Sequence, residues 1–284
     1  MSFPLPQGRA TVVAGAPGTG LGNWAGAPGA ALGADGTWVL AYRVREGVTP
    51  ESGASTVVAV SDDGETFGTV ATLDKSRFDA MSMERPSVVQ LEDGGWRLYT
   101  CCATKNSKHW WIDALDADTP AGFASAAART VFPGDDRTAV KDPIVRRNGS
   151  SWEAWICCHP LDVPGEEDRM TTMYARSDDG IEWEWHGTVF GPQPGTWYAR
   201  GARLTAVLPD GRAAFDGRAT KEENWFERTG LARRANGAYE PTSDVPVSHV
   251  RYLDVVPVPS GGFRLFYESP NPDASHDLLT ELVA

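Results

Sequence analysis

Residues 141–157 read KDPIVRRNGSSWEAWIC. A leading dipeptide, a short apolar run, the turn Asn148-Gly149 and a second run opening at Trp152 describe a β-hairpin, because Asn-Gly supplies the positive-φ residues that a tight antiparallel turn needs. The pattern recurs as GAPGAALGADGTWVLAYR at 26–43, ERPSVVQLEDGGWRLYTC at 84–101, RGARLTAVLPDGRAAFDG at 200–217 and YLDVVPVPSGGFRLFYE at 252–268. Their turns fall at Asp35-Gly36, Asp93-Gly94, Asp210-Gly211 and Gly261-Gly262. The second strands align at Trp38, Trp96, Trp152, Arg212 and Phe263, spaced by 58, 56, 60 and 51 residues. A period of that length marks a repeat architecture.

Weaker hairpins lie between these, notably STVVAVSDDGETFGTVATL at 55–73 and TTMYARSDDGIEWEWHGTVF at 171–190. In both, Ser-Asp-Asp-Gly makes the turn and an aromatic, Phe67 or Trp183, is placed to pack over it. Two hairpins per period give four strands per unit, the composition of a propeller blade. The expected fold is all-β: one five-bladed β-propeller domain over residues 1–284, with four-stranded antiparallel blades around a central funnel. ATVVAG at 10–15 is expected to pair near Leu278–Val283 and close the ring, which removes an open edge. Pro, Gly and β-branched residues interrupt every helical window, and AGFASAAART at 121–130 is too short to weigh heavily.

The chain has 284 residues, 41% hydrophobic and 10% aromatic, with eleven Trp spread along it, so it has the means to bury a core. A net charge of −12 argues against nucleic acid or an anionic membrane as the main partner and points to a neutral or cationic ligand. No apolar run approaches the roughly 20 residues needed to span a bilayer. MSFPLPQGRATVV lacks the basic and apolar regions of a secretory signal, so the expected location is the cytoplasm. The four Cys form adjacent pairs, Cys101-Cys102 and Cys157-Cys158, a spacing unlike a zinc site or a redox pair, and read as small core thiols.

In a propeller the innermost strands all start at one mouth of the channel, so the leading dipeptides converge there. They bring Glu84, Asp142 and Asp254 together with Arg85, Lys141, Arg200 or Arg203, and Arg251. Mutually close carboxyls push their pKa values apart, which suits acid and base roles, and the three acids are the catalytic candidates. Trp24, Trp110, Trp197 and Tyr198 lie near the same end and offer faces for sugar rings, while His159 offers a hydroxyl contact. Arg85, Arg200 and Arg251 complete the candidate substrate-binding set, and an Arg-rich funnel also suits an anionic group. The five His show no zinc spacing, and no Walker loop, Gly-x-Gly-x-x-Gly or Gly-x-Ser-x-Gly occurs. No cofactor is expected, although a structural calcium or sodium ion in the channel is compatible with acids placed there.

The repeat, the motif KDPIVRRNGSSWEAWI and the hairpin SDDGIEW resemble the β-propeller glycosidases, glycoside hydrolase families 43, 32, 62 and relatives. That resemblance implies an Asp in the first blade as base or nucleophile, an Asp-Pro in the third that tunes pKa and binds the sugar, and a Glu acid in the fourth. Asp142-Pro143 matches the third-blade pair. Ala27 stands before Pro28 where the first-blade Asp belongs, and Tyr198-Ala199-Arg200-Gly201 carries no Glu, so two of the three catalytic positions are unmatched.

Three functional readings follow. The leading one is a glycoside hydrolase-like enzyme acting on a sugar or glycosylated small molecule, with Glu84 as general acid and Asp254 or Asp142 as its partner. The second is a propeller recruited to elimination, cyclisation or isomerisation of a small molecule, and the third is a non-catalytic carbohydrate-binding propeller.

Overall fold

The computed structural model describes residues 2–49 and 51–284. Its strands are β1 (Thr11–Ala14), β2 (Asn23–Leu32), β3 (Trp38–Glu46), β4 (Ala54–Ser61), β5 (Gly68–Asp74), β6 (Met83–Gln90), β7 (Trp96–Ala103), β8 (Trp110–Ala117), β9 (Ala128–Phe132) and β10 (Thr138–Asn148). They continue as β11 (Ser151–Pro160), β12 (Thr171–Ser177), β13 (Glu184–Phe190), β14 (Gly201–Val207), β15 (Arg212–Arg218), β16 (Arg228–Ala235), β17 (Ala238–Pro241), β18 (Arg251–Pro257), β19 (Phe263–Pro270) and β20 (His276–Val283). Among the described residues the helical turns are two 3-10 segments, Lys75–Phe78 and Pro120–Ala124. None is long and apolar enough to cross a membrane.

The chain is all-β, built from four-stranded antiparallel sheets. Three stand alone, in the orders β6-β7-β8-β9, β10-β11-β12-β13 and β14-β15-β16-β17. An eight-stranded sheet joins β2-β3-β4-β5 to β18-β19-β20 through one parallel bridge, Trp24 to His276, and β1 lies along β20 with Thr11 opposite Thr280. The expected pairing of the N-terminal strand is therefore present. The leading strands pack side by side, β2 on β6, β6 on β10, β10 on β14, β14 on β18, and β18 back on β2.

The core consists of apolar layers between consecutive sheets. Val39, Val58, Val88 and Leu98 fill one layer, Tyr99, Ile112, Val140 and Ile156 the next, and Trp155, Leu204 and Phe215 another. Trp38, Trp96 and Trp152, the aligned column of the repeat, are all buried. The Ser-Asp-Asp-Gly turns close as expected: Asp63 Oδ1 accepts from the amides of Glu65 and Thr66, and Asp179 Oδ1 from those of Ile181 and Glu182. Phe67 then packs on Phe266, and Trp183 on Phe132 and Tyr99.

The leading strands share a backbone device that positions the site. Register shifts interrupt β2 between Gly26 and Gly29, β6 between Glu84 and Ser87, β10 between Lys141 and Ile144, and β18 between Arg251 and Asp254. Two residues oppose one at each shift, a bulge that bends the strand and re-aims side chains. Ala27, Asp142 and Tyr252 sit in these bulges with φ of 50°, 51° and 51°, left-handed values that non-glycine residues rarely adopt.

Candidate active site

Behind the bulges lies a buried network of alternating charge. Arg43 donates to Glu84 and, at 2.5 Å, to Glu268 Oε2. Glu268 Oε1 accepts from Arg251 at 2.6 Å, Arg251 also pairs with Glu227 at 2.7 Å, and Glu227 is held by Arg218. Arg203 donates to Asp142 at 2.9 Å and to Asp216 at 3.1 Å, and Tyr252 O–H reaches Glu84 at 3.4 Å. Unpaired buried ions are prohibitively costly, which is why each charge is answered by opposite charge.

Burial alone would raise the Glu84 carboxyl, but Arg43, Lys141 and Arg45 together hold it at about 2. Glu268 behaves alike: burial is overcome by Arg43, Arg251 and His276, again giving about 2. A carboxyl at that value is ionised at neutral pH. The surrounding guanidiniums therefore favour an anion at Glu84, where the sequence suggested a general acid. Burial instead raises Asp216, and raises Asp254 despite Arg85 and the Ala30 amide.

A cavity of about 690 Å³ opens above this network, with Glu84, Lys141 and His159 among its lining residues. Trp110, Trp225 and Phe226 supply aromatic walls, and Arg45, Asp168, Lys108 and Lys221 add charge. Lys141 lies over the Trp110 ring at 5.0 Å. Trp225 holds φ of 75° and leans on Trp24 at 5.8 Å. His159 Nδ1 lies 2.8 Å from the Glu167 carbonyl, which can only accept, so Nδ1 carries the hydrogen and Nε2 the lone pair. Burial, then the positive charges of Lys141, Arg218 and Arg203, hold this imidazole well below its ordinary 6.5.

Of the residues expected at the site, Glu84, Trp110, Lys141 and His159 line the cavity. Asp142 does not: it is 1% exposed, beneath the floor, gripped by Arg203 and by the Arg85 amide at 3.3 Å. Asp254 was expected at the leading position of the last repeat, but the bulge places Tyr252 there. Asp254 lies two residues further on, accepting from the Ala30 amide at 2.8 Å and pairing with Arg85 at 3.4 Å. Arg85 is interior rather than substrate-facing. Its Nε donates to the Pro28 carbonyl and its NH1 to the Thr205 carbonyl, so with Asp142 and Asp254 it ties β6 to the other four leading strands.

Trp24 is fully buried, stacked on His276 at 5.2 Å with Arg43 over it at 5.2 Å. Trp197 and Tyr198 pack into the apolar layer around Phe215 and Phe190 and do not line the cavity. Arg200 is occupied by Asp168 and, at 2.5 Å, by Glu166. Arg251 is 3% exposed in the network and borders a side recess of about 150 Å³ beside Trp225. Among the described residues no group of three or more His, Cys, Asp or Glu is arranged for a metal ion.

The residues that sequence reasoning missed are Arg43, Asp216, Arg218 and Glu268 on second strands, Glu227 on a loop, and Tyr252 on a leading strand; Arg203, the alternative to Arg200 in the fourth repeat, bonds Asp142 and Asp216. Their signal was present: LAYRV, AAFDGR and LFYES each embed a charge in an otherwise apolar run. A charge in such a run has to find a buried partner.

No protein-family model matches the sequence, and no curated protein matches it. Solved structures do. An α-L-arabinofuranosidase from Lactobacillus brevis superposes with a TM-score of 0.67 at 14% identity, covering 91% of this chain and 90% of that one. A β-1,2-mannobiose phosphorylase from Listeria innocua gives 0.62 at 12% identity, over 99% of this chain and 92% of that one. A sucrose-6-phosphate hydrolase from Lactobacillus gasseri gives 0.70 at 11% identity, over 96% of this chain and 60% of that one. At such identities the likeness is one of fold, and the fold is that of the propeller glycoside hydrolases and phosphorylases.

Proposed function

We propose that this chain, whose fold is shared with propeller glycosidases and phosphorylases, is a single five-bladed propeller spanning residues 1–284 that processes a saccharide or glycosylated small molecule. Support for five blades comes from β1, which makes β18-β19-β20 four-stranded, and from the closed succession of leading strands. The substrate occupies the cavity above Glu84, with sugar C–H faces against Trp110 and Trp225. One observation carries the reading: an ionised, guanidinium-held carboxylate, Glu84, lines an aromatic-walled cavity. An anion in that position stabilises positive charge developing at an anomeric carbon, or attacks it. The four cysteines are free and buried, which suits the proposed cytoplasmic location.

The deciding experiment is turnover of aryl glycosides, furanosides included, and natural oligosaccharides by the wild type and Glu84→Gln. A loss of about a hundredfold or more in a folded variant supports the reading. Processing of no saccharide overturns it.

A second reading is favoured by the placement of protons. Asp216 and Asp254, the carboxyls that burial drives toward the protonated form, both lie outside the cavity lining. A reaction that uses Glu84 as base and needs no carboxylic acid, such as an elimination or isomerisation, is consistent with that arrangement. Product mass separates the two: hydrolysis adds the elements of water to the cleaved parts, isomerisation leaves the mass unchanged.

A further inference from the structure

One cation in the cavity differs from the paired guanidiniums around it. Lys141 precedes the bulge of β10, paired opposite Cys157, with its side chain only 14% exposed. It lines the cavity, and a lysine so placed commonly covers its stem and turns its ammonium to solvent. Its nearest carboxylate oxygen, Asp142 Oδ2, stands 3.9 Å away, beyond hydrogen-bond reach, and already accepts from Arg203 at 2.9 Å. No acceptor among the described residues hydrogen-bonds to Lys141 Nζ, so its three N–H donors are left for something in the cavity.

No acid on the cavity wall hydrogen-bonds to it. Glu84 feels the Lys141 charge but is bonded by Arg43 and Arg45, and Asp168 is held by Arg200 and Arg218. Glu167 Oε1 accepts from the Gly165 amide at 2.9 Å, and Glu222 is exposed at the rim. Two further ammonium groups, Lys108 and Lys221, line the same cavity from separate loops; Lys221 donates to the Gly165 carbonyl at 2.6 Å.

We infer that the substrate of this cavity carries an anionic substituent, a carboxylate or a phosphate, that seats on the Lys141 ammonium with Lys108 lining the same space. This rests on the saccharide reading and specifies its ligand. The anion gains charge-assisted hydrogen bonds from donors that have no other acceptor, and Trp110 beneath Lys141 fixes where they point. The neighbouring His159 reports the local field. It is faced by Lys141 from β10, Arg203 from β14 and Arg218 from β15, with the Glu167 main chain and the Cys157 thiol as its polar contacts. Together with burial, those positive charges suppress its protonation, although the whole chain carries −12. The substrate preference follows the local charge rather than the net charge, which had pointed to a neutral or cationic ligand.

The test titrates glucuronate, glucose 6-phosphate and glucose into the wild type and Lys141→Gln, reading Kd by calorimetry at low and high salt. The expected result is one charged sugar binding at least about tenfold more tightly than glucose, a preference that shrinks with salt and is lost in Lys141→Gln. Which sugar shows it, acid or phosphate, identifies the anion. Equal Kd values for charged and neutral sugars, or a preference that survives Lys141→Gln, overturn the inference and leave the saccharide reading standing. Failure of these sugars and of the oligosaccharide panel to bind or react overturns the saccharide reading itself. Should Lys141→Gln fail to fold, the wild type supplies a second readout by NMR. Saturation with the preferred sugar raises the His159 pKa and saturation with glucose does not; no rise overturns the inference.

Discussion

Arg203 lies flat on Tyr252, its Cζ 3.9 Å from the ring centroid. The stack aims the guanidinium edge at Asp142 and Asp216, while the Tyr252 amide donates to Asp216 at 3.0 Å. Replacing Arg203 by Met removes the guanidinium that bonds both buried carboxyls. Breaking a buried pair in this way costs about 3–5 kcal/mol. Urea denaturation of Arg203→Met should show a midpoint lowered accordingly with an unchanged m-value; a loss under about 1 kcal/mol would refute the dependence of these carboxylates on Arg203.

Arg85 tests whether the leading strands depend on one side chain. Lysine keeps the charge but cannot reach the Pro28 carbonyl, the Thr205 carbonyl and Asp254 together. At least one buried acceptor then goes unmet, at about 1–3 kcal/mol. Arg85→Lys is expected to lower the melting temperature clearly, whereas Arg129→Lys, at an exposed pair with Glu182, should move it little.

Acid should unfold the protein in two stages. Glu84 and Glu268 sit near 2 in the fold against an ordinary 4.5, so their stabilising contribution is complete above about 4.5 and is lost as pH falls toward 2. His159 acts earlier. Its folded pKa is depressed, so below about 6.5 the unfolded chain takes up a proton that the fold refuses, and stability begins to fall. Melting temperature against pH should decline gently below about 6.5 and steeply below about 4.5. In His159→Gln the first decline should disappear; its persistence would show that another group is responsible.

Trp110 is half-buried, borders the cavity and supports Lys141. An aromatic contact of this kind contributes roughly 0.5–1.5 kcal/mol. Trp110→Ala should weaken saccharide binding by up to about tenfold in calorimetry while the fold, read by circular dichroism, stays intact. Undiminished binding would place the sugar elsewhere in the cavity.

The architecture was legible because it is written in local chemistry. The Asn-Gly, Asp-Gly and Ser-Asp-Asp-Gly turns and the aligned tryptophans each need only a few adjacent residues to be understood. Glu84, Trp110 and His159 were legible as cavity residues for the same reason, since strand order alone brings them to one end. Asp254 was misplaced because a one-residue bulge shifts which side chain faces forward, and no turn signal marks a bulge around Tyr252. Trp197 and Tyr198 were misassigned because a strand-flanking aromatic reads alike whether it faces a ligand or a neighbouring sheet. The pairing of Arg43 with both Glu84 and Glu268 joins β3, β6 and β19, and such long-range partnerships leave no trace in spacing.

The pairing of β1 with β20 also sets an order of events during synthesis. Residues 11–14 leave the ribosome long before their partner, residues 276–283, emerges. Each intervening hairpin closes over short loops and can form as it is made, while this contact waits until residues 276–283 have been made. Until then the Trp24 side chain has no His276 to stack on, and the edge of β2 is open. The nascent protein is thus a chain of finished modules with an unfastened clasp, and that interval is when it is most exposed to mispairing with another copy.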